Sequence, residues 1–489
     1  MPNRVSRCVL SLTLFMFLLA LAPATDLEGI TTQSTAVVSE PEKQRMLVAY
    51  APHGRIAIDG DANFSDTALL EGWPGDGSPE NPFIIDGLDI NVGYAGGYCI
   101  SINNTLVSFT ISNCNLSSMP GGIILSAGIH LENVTNGELV NNNISTGFDG
   151  ISLLSSDSNT VSDNTCYNNW IDIILVSSHF NIVENNIGEI ILESSHSNTV
   201  ENNISYISLE SSHSNIVDNN IGDISLESSN SNTIISNICT NNENGIFFTG
   251  SHNTVANNTC TNGEFGISFS GSHNNVTNNN CSNNTEYGIY LSNAESNTVS
   301  YNTCNNNSHG IYTTDSDSNT VMNNNCSNNT EFGIYLNNAE SNTVSYNTCN
   351  NNNYGIFLYD SHLNTVANNI CNYNGIGIYL DLSETNTVAH NTCLRNTEHD
   401  IYLSDSEFNT VENNITTLTY SVILLLGGVL FLLPLGIVVV GFRKRMVSPK
   451  GDKDDIAVPA RYRLVSWFRQ RRSLKHEDVD DYFEPDSSD

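Results

Sequence analysis

The chain has 489 residues, with 17 Lys and Arg against 52 Asp and Glu, and a formal net charge of −35. Such a surface repels a polyanion, which excludes nucleic acid as a partner and suits cations or an ionic extracellular setting.

The N-terminus reads as a secretory signal over residues 1–24. Arg4 and Arg7 form its charged region, Val9 to Leu21 its apolar stretch, and Ala22-Pro23-Ala24 a small-residue cleavage site. Residues 25–46 form a polar leader. Residues 47–97 read as an N-terminal cap, because HGRIAIDGDANF and GWPGDGSPENPFIIDG are dense in Gly and Pro and break the pattern that follows. A solenoid needs such a cap over its first rung.

Residues 98–416 carry that pattern. The triplet Asn-(Thr/Ile/Asn)-(Val/Ile) begins at Asn159 and occurs thirteen times, ending at Asn409. Its spacing is 17 residues three times and otherwise 21–23. A second Asn follows five residues after each, from Asn164 to Asn414, and a Val or Ile two residues after each, from Val161 to Val411. A fixed period of this kind means a solenoid, in which every coil sees the same surroundings. In the unit Asn342 to Asp360, the apolar positions Val344, Cys349, Ile356 and Leu358 lie in short alternating runs between Asn and Gly clusters. That is strand and turn chemistry. About 22 residues suit three short strands and three turns, stacked in parallel at ~4.8 Å per rung. Inward Asn side chains then hydrogen-bond up and down the stack. The expected class is all-β, a parallel β-helix of about 15 coils, with Val161 to Val411 buried.

Residues 418–442 read as a single transmembrane helix. Tyr420 to Phe442 is apolar and about 34 Å long as a helix. Arg443, Lys444 and Arg445 follow at once, so the positive-inside rule places the tail, 443–489, in the cytoplasm and the rod outside, as a single-pass type I protein. Ahead of the span, the exported segment holds four basic residues, Lys43, Arg45, Arg55 and Arg395, against 42 acidic ones, a formal charge of −38. In the tail, Arg461 to Lys475 interleaves basic residues with Leu464, Trp467 and Phe468, and reads either as a helix on the anionic inner leaflet or as a disordered linker.

The coil consensus N-T-V-x-x-N-T-C/I followed by G-I-Y-L resembles the repeat of pectate-lyase-like parallel β-helix proteins, and most of all the NosD-type group, sometimes labelled periplasmic copper-binding. GWPGDGSPENPFIIDG followed by CISINNT and FTISNC is similar to the start of membrane-anchored surface proteins in that group. The resemblance covers residues ~50–416. It implies a right-handed helix and, for NosD itself, a part in delivering copper to a reductase. The span and tail depart from that pattern.

Three constellations stand out. The first is a cysteine column, seven residues after the repeat Asn: Cys166, Cys239, Cys260, Cys281, Cys304, Cys326, Cys349, Cys371 and Cys393. Metal thiolates come as closely spaced pairs, which are absent here, and in-register Cβ atoms lie too far apart for easy disulfides. The column therefore reads as a stack of small buried hydrophobes, reduced and protected. The second is a Glu/His set on the short coils: Glu193 and His196, Glu210 and His213, then Glu227, with His179 in the same phase. Carboxylate plus imidazole suits a divalent metal, copper or zinc. Its competing reading is a solvated turn, since the same column elsewhere accepts many polar residues. The third is an aromatic stripe. Ile and Leu of G-I-Y-L point inward, so the residue between them points out. These positions are Phe247, Tyr290, Tyr312, Tyr335, Phe357, Tyr379 and Tyr402, interrupted by Ser268. A row of exposed rings can stack on sugars or a partner protein, or simply on itself.

Catalysis has weaker support. β-Elimination on acidic polysaccharides needs cationic groups, and the rod offers Arg395. Hydrolysis needs paired carboxylates, and Asp360, Asp381, Asp400 and Asp405 near the last coils are irregularly placed. Sequons such as Asn257, Asn283 and Asn328 suit glycans on outward turns, whereas Asn203 and Asn414 point inward. The expectation is a cell-surface, membrane-anchored β-helix protein that binds carbohydrate or another surface protein along the rod. The alternatives are a polysaccharide-modifying enzyme of hydrolase or epimerase type, or a NosD-like metal-handling protein.

Overall fold

Two parallel sheets of 16 strands each run the length of the rod. The computed structural model describes residues 50–93, 97–118, 126–241 and 243–418. The expected signal, leader, membrane span (apart from Leu418) and tail lie outside these residues. No helix among the described residues is long and apolar enough to cross a membrane. The first sheet extends from Ile56–Asp59 to His399–Ser404, and the second from Phe83–Asp86 to Thr410–Glu412. A third side is five-stranded from Ala51–His53 to Thr165–Tyr167, then thins to single parallel bridges such as Ile187 with Ile204 and two short strand pairs. The architecture is a right-handed parallel β-helix of about 15 turns.

The expected cap region contributes rungs of its own. Ile56 pairs with Ile100 and Phe83 with Phe109, in the same sheets as the repeats. An 11-residue helix, Asp61–Glu71, is inserted between these strands and buries Phe64 and Ala68. Phe64 stacks on Phe83 at 5.1 Å and packs at a tilt on Phe109 at 5.3 Å, which closes the end of the core.

Register turns the sequence period into columns. Val161 pairs with Val183, Val183 with Val200 and Val344 with Val366, all fully buried. Val411 departs from the expectation. It sits on the last rung and is 44% exposed, since no described residue covers it.

The corners follow one rule. A residue in the left-handed region comes first, and the next side chain turns inward. Asp315, Ser318, Asn323 and Asn328 have φ of 50°, 58°, 57° and 61°. Ser316, Asn319, Asn324 and Asn329, each one residue later, are buried. A left-handed residue breaks the alternation of a strand, and Asn and Asp tolerate it because their short polar side chains bond locally. Each inward amide then joins a ladder. Asn302 Nδ2 donates to Val276 O at 2.9 Å and to Asn324 Oδ1 at 3.0 Å. Its Oδ1 accepts from the backbone and side-chain nitrogens of Asn279 at 2.9 and 3.0 Å. The two Asn columns read from the sequence are both such ladders. Two more were missed: a serine column, including Ser178, Ser195 and Ser212, and a third Asn column through Asn284, Asn307, Asn329, Asn352 and Asn374.

Candidate functional site

The outer surface of the first sheet carries two lanes of rings. The expected stripe is one lane. Tyr290 lies 5.5 Å from Tyr312, Tyr312 4.8 Å from Tyr335, Tyr335 4.9 Å from Phe357, Phe357 4.7 Å from Tyr379, and Tyr379 5.2 Å from Tyr402. Phe247 occupies the same column, next to Ser268. The second lane was not foreseen: Phe265, Tyr287, His309, Phe332 and Tyr354, with successive centroids 4.9–5.2 Å apart. Ile376 and then His399 continue it in register. Cross-lane contacts, such as Phe332 to Tyr335 at 4.6 Å, tie the two together.

The glycine of G-I-Y-L makes the second lane. Gly288 and Ile289 are both buried, so two successive inward residues interrupt the alternation and the chain rounds a corner. A Cβ at Gly288 would lie 2.5 Å from Gly310 O and 2.8 Å from the Cys304 Cβ, so only glycine passes there. Tyr287, just before it, lands beside Tyr290 at 5.1 Å. The signal was present in the sequence as the residue preceding each glycine, but strict alternation hid it.

Pairing the lanes changes the exposure of the stripe. The rings were expected to stand free in solvent. Instead most are half-buried, Phe357 is 9% exposed, and Tyr402 on the end rung reaches 37%. The result is a preordered aromatic platform. Burial pushes up the phenol pKa values of Tyr287, Tyr290, Tyr312 and Tyr335, and that of Tyr379 to about 12. All of these phenols stay protonated at neutral pH and keep a donor on the surface. Burial pulls the His309 imidazole down to about 4, so it is neutral there.

Carboxylates border the platform on both sides. Glu264, Glu286, Glu331 and Glu398 directly precede the second-lane residues Phe265, Tyr287, Phe332 and His399. Beyond burial, Glu286 and Glu331 add to the upward shift of Tyr287, Asp315 to those of Tyr290 and Tyr312, and Asp381 to those of Tyr335 and Tyr379. Burial also raises Glu264, Glu286 and Asp381 themselves.

The Glu/His set forms two separate columns. Glu193, Glu210 and Glu227 stand in register at the ends of first-sheet strands. His179, His196 and His213 stack at the following corner, with centroids 5.0 and 4.9 Å apart. Their Nδ1 atoms are taken. Those of His179, His196 and His213 accept the backbone N–H of His196, His213 and Asn230, each at 3.0 Å. The proton of each neutral ring therefore sits on Nε2, the atom left for a ligand. A metal at Nε2 would need that proton moved to Nδ1, which breaks the corner bond. Among the described residues, no three His, Cys, Asp or Glu side chains form a group that could hold a metal. These residues do not fit a copper or zinc centre.

The cysteine column is inward and fully packed. All eleven described cysteines are buried and free. Burial pushes up the thiol pKa values of Cys281, Cys326 and Cys371, and those of Cys99 and Cys114 to about 11, so these are thiols and not thiolates. Among the late carboxylates, Asp400 bonds Asn396 and the Thr417 amide, and Asp360 lies 3.5 Å from His362. Of the sequons, Asn257, Asn283 and Asn328 are exposed at corners, Asn203 is buried and Asn414 half-buried.

Fold and surface together define a β-solenoid of the right-handed parallel type. The sequence profile of the right handed beta helix region matches residues 222–370, and that of periplasmic copper-binding protein (NosD) matches residues 83–221 and 327–427. The chain belongs to the NosD-like right-handed β-helix family. No curated protein matches it. Solved structures similar to it include the periplasmic alginate epimerase AlgG, at 12% identity over 73% of this chain and 82% of that one, TM-score 0.30. The Azotobacter vinelandii mannuronan C-5 epimerase AlgE6 A-module has 12% identity over 72% and 93%, TM-score 0.26. The alginate lyase AlyF-OU02 has 14% identity over 61% and 86%, TM-score 0.31.

Proposed function

We propose that the chain is a membrane-anchored cell-surface protein whose rod binds carbohydrate on the two-lane aromatic platform. One observation carries this reading: the lanes run in register over seven rungs, from Phe265 to His399, about 29 Å at the usual rung spacing. Sugar rings present flat C–H faces that pack on an apolar aromatic surface, and tyrosine adds a hydroxyl donor. Rings already locked by their neighbours lose little entropy when a chain lies on them. The apolar segment 420–442 and Arg443 to Arg445 support anchoring with the rod outside.

The test is retention on a glycan array by the purified chain, compared with a Tyr290→Ala/Tyr335→Ala variant of unchanged circular dichroism. Loss of at least tenfold in affinity, about 1.4 kcal/mol, is expected from removing two stacking rings. Equal retention by both proteins, or no glycan retained by either, refutes the platform. Each glycan retained is then assayed for cleavage or epimerisation, which separates a binding rod from an enzyme.

A further inference from the structure

The charge around the platform narrows its ligand. The carboxylates placed along its edges give it a negative border. Glu264, Glu286, Glu331 and Glu398 line one edge, and Asp315 and Asp381 lie by the other. The two arginines among the described residues lie near the ends of the rod and outside the two lanes. Arg55 lies at the first rung by Gly97, and Arg395 is held at an outer corner, where its Nη1 donates to the Tyr373 hydroxyl at 2.6 Å and its guanidinium lies 5.5 Å from the ring centre. A polyuronate laid along the lanes would meet carboxylates on both sides, with Arg395 coming near only at the last rung, three residues before Glu398.

We infer that the platform selects a cationic glycan, a chain of amino sugars with free primary ammonium groups. This rests on the reading of the platform as a carbohydrate surface and names the class it takes. Two features act together. The rings stack face to face along each lane, so the sugars lie across their outward edges and hydroxyls. The bordering carboxylates pair with ammonium groups that project beyond the rings. His309 sits within the second lane, its Nε2 3.8 Å from Glu331, and burial keeps it neutral, so it adds no opposing charge at pH 7. The chain's overall charge of −35 steers a polycation toward the rod at low ionic strength and a polyanion away.

Glu264 and Glu286 strengthen the inference. Burial raises both pKa values, and like-charged neighbours, Glu286 and Glu243, add to the shift at Glu264. A row of carboxylates that repel one another is relieved by a cation, so ammonium groups along this edge gain more than they would from a lone surface carboxylate. The geometry also separates this edge from the glutamates of the short coils. Glu193, Glu210 and Glu227 stand beside Ser208 and Ser225 instead of rings, and offer charge without a stacking surface.

Four hexasaccharide probes decide the matter on the purified full-length chain by titration calorimetry: a glucosamine oligomer, its fully N-acetylated form, a neutral glucose oligomer and a uronate oligomer. The glucosamine oligomer should bind about tenfold tighter than its N-acetylated form in low salt, the size of several exposed ion pairs acting together. That preference should shrink in 0.5 M salt. Glu286→Gln/Glu331→Gln should abolish the preference and leave the N-acetylated oligomer's affinity unchanged. Glu210→Gln/Glu227→Gln should leave both affinities as they are. Equal affinity for the first three probes, or tightest binding of the uronate, overturns the charge selection and leaves the platform standing. Binding of none overturns both.

Discussion

Replacing Asn302 with Ala tests what holds the rod together. Asn302 is 1% exposed and its amide makes four hydrogen bonds to two neighbouring rungs. Truncation does not cost all four equally. Asn324 Oδ1 keeps the Asn302 backbone N–H at 2.9 Å, and Asn279 Nδ2 keeps Val255 O. The Asn279 backbone N–H loses its acceptor inside a corner closed to water, and Val276 O loses a donor. An orphaned buried donor costs about 1–3 kcal/mol, and the lost pair puts the total near the top of that range. Asn305→Ala is the contrast. Asn305 Oδ1 accepts the Ser327 N–H at 2.8 Å, but the residue is half-buried, so water replaces it at a cost below about 1 kcal/mol. Urea unfolding followed by circular dichroism gives the two losses, and hydrogen exchange at the Asn279 amide shows whether the damage is local. A loss from Asn305→Ala equal to that from Asn302→Ala would refute the ladder as the source of stability.

Other consequences follow from the same packing. Thiol titration of denatured, unreduced protein should find most of the cysteines from Cys239 to Cys393 free; a requirement for reductant would mean that the column is cross-linked. Gly310→Ala should destabilise by about 1–3 kcal/mol, because its Cβ would lie 2.5 Å from Gly333 O and 2.9 Å from both Asn329 Nδ2 and the Cys326 Cβ, whereas Gly54→Ala, with nothing within 4 Å, should change stability by less than about 0.5 kcal/mol. His309 makes the platform acid-sensitive. Its folded pKa is depressed to about 4, so the unfolded chain takes the proton first, and the stability present above about pH 6.5 is lost as pH falls toward 4. Across that window, His309→Phe should gain about 3 kcal/mol relative to the native chain, read as a pH-dependent difference in urea midpoint; a constant difference would place His309 in solvent.

The sequence determined the period, and the period determined the fold. Asn at fixed spacing with Val two residues later allows one arrangement, because only stacked coils give every Asn the same neighbours above and below. Val161, Val183 and Val344, Asn164 and Asn302, and the inward cysteines were therefore legible without coordinates. Tertiary structure decided what alternation conceals. Left-handed corners such as Asp315 and Asn328 turn the following Ser316 and Asn329 inward, and Gly288 lets two successive residues face the core. Those breaks created the serine ladder, the third Asn ladder and the second aromatic lane, and the second lane left the stripe half-buried. The histidines show the same limit from the other side. Their spacing suggested ligands, yet which ring nitrogen is available depends on the backbone N–H of the next rung, and that meeting exists only once the coils are stacked.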